Sequence, residues 1–261
     1  MLNNPNEDLD RLLLDAVDMA RGAGAIVSKL FRSGHLDTHA KLNEADVVTV
    51  ADGQSEAYIL DRIRSLYPSH SILSEESGGQ EQTQGWRWVI DPIDGTTNFS
   101  AGIPFCCVSI GVEYDGRTMV GVVYDPMTEE LFTAVRGQGS YLNGNPIAVN
   151  SNDRLDRAVV SSGFPVDKGE NSDNNLDNVS RVMPLVRGFR RLGSAAMDMC
   201  YVAAGYLDAY WEMNLHRWDV SAASLVVEEA GGIIEEYRND RNISLIASSK
   251  ALFQAIRPLI K

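Results

Sequence analysis

The chain has 261 residues, 44% hydrophobic and 23% charged, with a formal net charge of −13, a composition that suits one large globular domain or two closely packed halves. No stretch approaches the ~20 apolar residues of a membrane span, and the polar start Met1-Leu2-Asn3-Asn4-Pro5-Asn6-Glu7-Asp8 is unlike a secretory leader. The acidic field, unrelieved by any Lys/Arg run, speaks against direct nucleic-acid binding, and the odd cysteines Cys106, Cys107 and Cys200 speak for a reducing cytoplasm without a disulfide framework.

Residues 6–32 carry apolar side chains at helical spacing, with Asn6 as cap and Gly34 as stop. Asp46-Val47-Val48-Thr49-Val50-Ala51-Asp52 reads as a short strand bounded by acids. Asp52 is expected to cap a second helix, 52–67, ended by Pro68. Asp46 has no such structural explanation, which makes it the functional candidate. Strands are expected at 71–73 and 87–90, then at 106–114 and 118–124 around the hairpin pair Asp115-Gly116, and at 130–135 and 147–149. A soft boundary falls at about residue 150, dividing the chain into 1–150 and 151–261. Beyond it come strand 158–162, a polar loop over 168–177, helices 176–186 and 194–205, strand 209–213, helix 220–230, strands 232–237 and 243–248, and helix 250–260. This mixture indicates a layered α/β or α+β architecture.

The most informative run is Asp91-Pro92-Ile93-Asp94-Gly95-Thr96-Thr97. The residue before a proline is pushed toward extended backbone, so Asp91 is expected at a strand end, with a turn behind it. Two carboxylates suited to Mg²⁺ are thereby gathered ahead of the N–H groups of Gly95 and Thr96, which suit phosphate. Glu75-Glu76 closes strand 71–73. Adjacent strand side chains point to opposite faces, so Glu75 is expected at a shared metal site and Glu76 behind it. Asp219 opens a helix, where it can cap and still offer an outer oxygen. The histidines are weak signals: His35 and His39 are separated from a helix by Gly34, His70 follows Pro68-Ser69, and His216 lies near Asp219. Lys41, near the expected cleft, reads first as a solvated lysine, and Arg187, Arg190 and Arg191, which could contact a second phosphate or an aromatic partner, read first as interface or surface residues. Ser161-Ser162-Gly163 lacks a nucleophile elbow.

These residues resemble the inositol monophosphatase family. Trp88-Val89-Ile90-Asp91-Pro92-Ile93-Asp94-Gly95-Thr96-Thr97-Asn98-Phe99 is similar to its signature, Ser74-Glu75-Glu76-Ser77 to its upstream metal motif, and Trp218-Asp219-Val220-Ser221-Ala222-Ala223 with Glu229-Ala230-Gly231-Gly232 to its C-terminal motif. The resemblance covers nearly the whole chain. It implies a five-layer αβαβα sandwich, a homodimer, and a lithium-sensitive, Mg²⁺-dependent phosphatase with two or three ions per site. By position it implies that Glu75, Asp91, Asp94, Asp219 and the Ile93 carbonyl hold Mg²⁺, with Glu76 supporting a further ion through water. Asp46 and Thr96 would prepare the attacking water, and Gly95 and Thr96 would bind phosphate. Gly193, Ser194, Ala195, Glu212, Asp94 and Asp219 would meet the substrate, an inositol monophosphate or similar polyol or sugar phosphate. Histidinol phosphate, fructose-1,6-bisphosphate and nucleotides are alternatives, as is a metal-dependent regulatory protein on the same scaffold. A haloacid-dehalogenase mechanism is disfavoured, because Asp91 and Asp94 have two residues, Pro92 and Ile93, between them, where that mechanism uses two acids separated by one.

Overall fold

The computed structural model describes residues 8–33, 38–40, 47–79, 84–238 and 240–261; Asn6 and Gly34 lie outside them. In the first half these residues form α1 (Leu9–Leu30), the ladder of β1 (Thr38–Ala40) with β2 (Val47–Thr49), α2 (Val50–Leu66), β3 (Ser71–Ser74), β4 (Gly78–Gly79), β5 (Trp86–Asp94) and α3 (Thr96–Ser100). Then follow β6 (Cys107–Tyr114), β7 (Arg117–Asp125), β8 (Glu130–Val135), β9 (Ser140–Leu142) and β10 (Asn145–Pro146). In the second half come β11 (Val159–Ser162), α4 (Leu176–Val182), β12 (Gly188–Arg190), α5 (Ala195–Ala203), β13 (Ala209–Leu215), α6 (Arg217–Glu229), β14 (Ile233–Arg238), β15 (Ile243–Ser248) and α7 (Lys250–Ile256).

Besides the β1–β2 ladder, the described residues form two larger sheets, ordered β10-β9-β8-β7-β6-β5-β3-β4 and β12-β11-β13-β15-β14. Three apolar cores separate the layers. Leu12, Met19 and Val27 of α1, with Ile59 and Ile63 of α2, pack on Trp88, Ile110 and Val122 of the larger sheet. The opposite face of that sheet, through Cys107, Val123 and Phe132, meets α5 and α6, which also cover Tyr210, Leu245 and Ala247 of the smaller sheet. The outer face of the smaller sheet, with Val160, Trp211 and Ile246, is closed by Leu252, Phe253 and Ile256 of α7. The order is therefore αβαβα. The central helix α6 lies unusually close to the larger sheet. Gly111 and Gly121 pair across β6 and β7, and a Cβ on either would stand 2.5 Å from Ser221 Oγ or from the Ala222 carbonyl.

The helices form where the apolar stripes require them, but several ends differ from expectation. Asp8 caps α1, accepting from the Asp10 N–H at 3.0 Å. Thr49 caps α2, so Asp52 is not the cap: it occupies the third helical position and accepts the Thr49 N–H at 2.8 Å, forming a capping box. The helix expected over 176–186 stops at Val182 and the one over 250–260 at Ile256. Pro184 and Pro258 follow in 3₁₀ turns, since proline lacks the N–H that an α-helix needs. Residues 147–149 form no strand. The chain instead turns at Asn143-Gly144, both with positive φ, to pair β9 with β10. The expected hairpin at Asp115-Gly116 is present, again with both residues at positive φ. Strand β5 does not end at Asp91 but continues to Asp94, with its register to β6 broken between the two acids.

Candidate active site

Strand pairing brings the acids together. β3 runs parallel to β5 with Ser74 beside Ile90, and the Glu75 N–H donates to the Ile90 carbonyl at 3.2 Å, so Glu75 and Asp91 leave neighbouring strands side by side. Glu56 of α2 fixes the turn beyond Glu75. This buried carboxylate accepts from the Ser74 hydroxyl and from the Ser77 N–H at 3.0 Å. The irregular step after Asp91 turns Asp94 toward the smaller half. Asp94 Oδ2 accepts from Ser194 Oγ at 2.6 Å and from the Ala196 N–H at 2.7 Å, at the N-terminus of α5. Asp219, third residue of α6, accepts the His216 N–H at 2.7 Å through Oδ2. Asp91 Oδ1 accepts the Ile93 N–H at 3.1 Å. These bonds engage one oxygen of each aspartate.

Glu75, Asp91, Ile93, Asp94, Gly95, Thr96, Gly193, Ala195, Glu212 and Asp219 line one cleft of about 780 Å³. Ser194 is buried and takes part through its bond to Asp94, while Glu76 sits in the turn after β3, outside the cleft lining. Gly95 has φ +98°, and a Cβ there would meet the Phe105 and Gly193 carbonyls at 3.1 and 3.2 Å, so glycine is demanded at this crossing. Asn98 clamps the same crossing, donating to the Phe105 and Leu192 carbonyls at 2.9 and 2.8 Å. No side chain caps α3, which leaves its first N–H groups for an anion.

Thr96 Oγ1 lies 3.0 Å from Asp52 Oδ1 and 2.9 Å from the Ile93 carbonyl. Asp46, together with His35 and Lys41, falls outside the described residues; among those described, the carboxylate that meets Thr96 is Asp52. Asp52, expected as the helix cap, instead serves both the start of α2 and Thr96. The pattern Thr49-x-x-Asp52 already signals a capping box, which would have moved the cap to Thr49 and released Asp52 for another role. His216 stacks on Trp218 at the cleft edge, with ring centroids 4.7 Å apart, whereas His70 accepts from Trp88 Nε1 at 3.0 Å far from the acids.

The electrostatics of the cleft are lopsided. Burial, then Glu75, Asp94 and Asp219, push the Asp91 pKa well above the carboxylate range. Burial and Asp94 do the same to Asp219. Burial lifts Asp94 to about 6 against the pull of Ser194 and the α5 amides. Arg191 is the only Lys or Arg among the described lining residues. Among the described residues, no group of three or more His, Cys, Asp or Glu side chains is drawn together closely enough to hold a metal ion. Their chemistry nevertheless fits a hard divalent ion: the donors are all oxygens, converge on one cleft and repel one another without one.

The inositol monophosphatase family model matches residues 8–259. Nus factor SuhB of Escherichia coli is 43% identical over 231 residues, covering 88% of this chain and 86% of that protein. Among solved structures, the extragenic suppressor protein SuhB from Bartonella henselae superposes with a TM-score of 0.89 at 37% identity, covering 96% of this chain and 98% of that one. The inositol monophosphatase from Anabaena (Nostoc) gives 0.86 at 36%, covering 97% and 96%. With the five-layer order and the acid-lined cleft in place, these likenesses settle kinship: the chain belongs to the inositol monophosphatase family.

Proposed function

We propose that the chain is a Mg²⁺-dependent phosphomonoesterase that hydrolyses inositol monophosphate or a similar small polyol or sugar phosphate by direct attack of water. The observation that carries this reading is the Thr96–Asp52 hydrogen bond of 3.0 Å beside the acid cluster. Glu75, Asp91, Asp94, Asp219 and the Ile93 carbonyl would hold two or three Mg²⁺ ions, with Glu76 acting through water. Bound Mg²⁺ supplies a lowered pKa for water and positive charge against the phosphate. The amides of Gly95 and Thr96 orient the phosphoryl oxygens. Burial raises the Asp52 pKa, which strengthens its carboxylate as the acceptor of the Thr96 hydroxyl proton. Thr96 Oγ1 in turn takes a proton from the attacking water. Gly193, Ser194, Ala195 and Glu212 position the leaving group, assisted by Asp94 and Asp219.

The three buried thiols suit a reducing cytoplasm. Inhibition by Li⁺ and a homodimeric state accompany this reading. Phosphate release from inositol 1-phosphate, histidinol phosphate, fructose-1,6-bisphosphate and nucleotide esters, with and without Mg²⁺ and Li⁺, tests it; release from none of them in Mg²⁺ refutes it. A second reading, a regulatory role without catalysis, draws on the name Nus factor carried by the relatives. Silence of the whole ester panel would favour it.

A further inference from the structure

Behind the first turn of α6, a group of charges takes no part in the chemistry above. Glu113 of β6 is fully buried. Its Oε2 accepts from Arg87 of β5, its partner across the two strands, at 2.6 and 3.1 Å. Its Oε1 accepts from Arg217 Nε at 2.6 Å and from Ser221 Oγ at 2.8 Å, both on α6. Arg217 also donates to the Gly116 carbonyl at 3.3 Å and to Thr118 Oγ1 at 3.4 Å. Residues 217 and 221 are four apart and share one helix face. Asp219 lies between them, about 200° round the helix axis from Arg217, and lines the cleft on the other side. One carboxylate therefore grips the first turn of α6 at two points and, through Arg87, joins it to the strand that continues to Asp91 and Asp94. Stability alone does not call for this arrangement. A cation in the first turn of a helix opposes the helix dipole, and a buried ion triad is often no more stable than apolar residues of similar volume. What the triad supplies is geometry, because its hydrogen bonds are met together in one seating of the helix.

We propose that the Arg87–Glu113–Arg217 triad is a positioning device for the acid cluster: it sets the roll of the first turn of α6, and with it the direction in which Asp219 faces the two aspartates of β5. Arg217 is the member open to change. Its side chain is 31% exposed, against 7% for Arg87 and 0% for Glu113, so it can be replaced without opening the core. The proposal rests on Asp219 serving as a metal ligand, as in the phosphatase reading. A helix turned out of register weakens a divalent ion held between it and β5.

The test measures Mg²⁺ binding by calorimetry, at a temperature where the proteins are folded, for wild type, Arg217→Met, Arg217→Lys and Arg257→Met. Arg257 pairs with Glu235 outside the cleft lining, so its replacement controls for a broken ion pair as such. Arg217→Met keeps the stem but removes the charge and the donors, and the dissociation constant for Mg²⁺ rises about tenfold, as when a group that holds a metal ligand in place is lost. Arg217→Lys meets Glu113 only as a point charge and recovers about half of that loss in free energy, leaving a rise of about threefold. Arg257→Met binds Mg²⁺ as wild type does. Wild-type affinity in Arg217→Met, or an equal loss in Arg257→Met, makes the triad a purely structural feature and overturns the proposal. Should Arg217→Met fail to fold, Arg217→Lys decides: the threefold rise supports the proposal and wild-type affinity overturns it. A wild type that binds no Mg²⁺ counts against the metal reading instead. Crystal structures of wild type and a folded Arg217 variant then decide the triad alone: an Asp219 carboxylate turned away from Asp91 in the variant supports it, and a superposable first turn overturns it.

Discussion

Replacing Glu212 by Gln is expected to stabilise the metal-free protein at pH 8 and to leave it almost unchanged at pH 5. Burial lifts the Glu212 carboxyl from 4.5 to about 7, against the Tyr210 hydrogen bond and the Arg191 charge, while Asp94 adds to the rise. An acid whose folded pKa is raised binds more protons folded than unfolded between those two values. Stability therefore declines as pH climbs from about 4.5 to about 7 and stays lower above it. The full elevation corresponds to roughly 3 kcal/mol at pH 8. Gln keeps an acceptor for Tyr210 and the seat against Gly163, but burying its amide takes back part of that gain. The net expectation is about 1–2 kcal/mol, or ~2–8 °C in melting temperature for a chain of this size. Urea unfolding in EDTA at both pH values measures it. A gain of equal size at pH 5 and pH 8, or a loss at pH 8, would refute the claim that Glu212 is held in a water-poor, acid-crowded seat. Activity on polyol esters is expected to fall in the same variant, separating stability from function.

Other perturbations probe the remaining parts. Asp91→Asn keeps the Ile93 N–H bond but removes a buried charge beside three acids, so it is expected to raise the EDTA melting temperature while abolishing both phosphate release and Mg²⁺-induced stabilisation; calorimetric Mg²⁺ binding as tight as wild type would exclude Asp91 as a ligand. Thr96→Val is expected to cut kcat by about 10²–10⁴ with little change in KM, and near-normal kcat removes Thr96 and Asp52 from water activation. Glu113→Ala strips the buried partner shared by Arg87 and Arg217, which sit 2.6 Å from it on either side; a loss of about 3–5 kcal/mol is expected, and a change below ~1 kcal/mol would mean the arginines find water instead.

Local chemistry was legible in the sequence and long-range closure was not. Asp91, Asp94 and Gly95 announce themselves because proline, glycine and paired acids constrain a single turn. The five-layer order follows from motifs that resemble a known family, together with apolar stripes that need two faces of two sheets. The second role of Asp52 is hidden because one residue serves both a helix start and a threonine 44 positions away, and only the first role is written locally. The Gly188–Arg190 strand is hard to read because it is a three-residue edge of glycine, phenylalanine and arginine, carrying little apolar alternation. Glu56 and Asp198 look like ordinary helix residues until folding buries them. Gly163 was noted only for lacking a nucleophile elbow; its purpose is to leave room for Glu212, which no spacing rule reveals.

The glycine pair at 111 and 121 acts as a ruler made of missing methyls. Because α6 begins at the cleft and runs on between the two sheets, the span from Asp219 to the acids of β5 is set by how deeply that helix beds down far from any ligand. Filling either gap to gain thermal resistance would lift the rod and widen the mouth at its end. Efforts to harden this interior thus carry a calibration error straight to the catalytic opening.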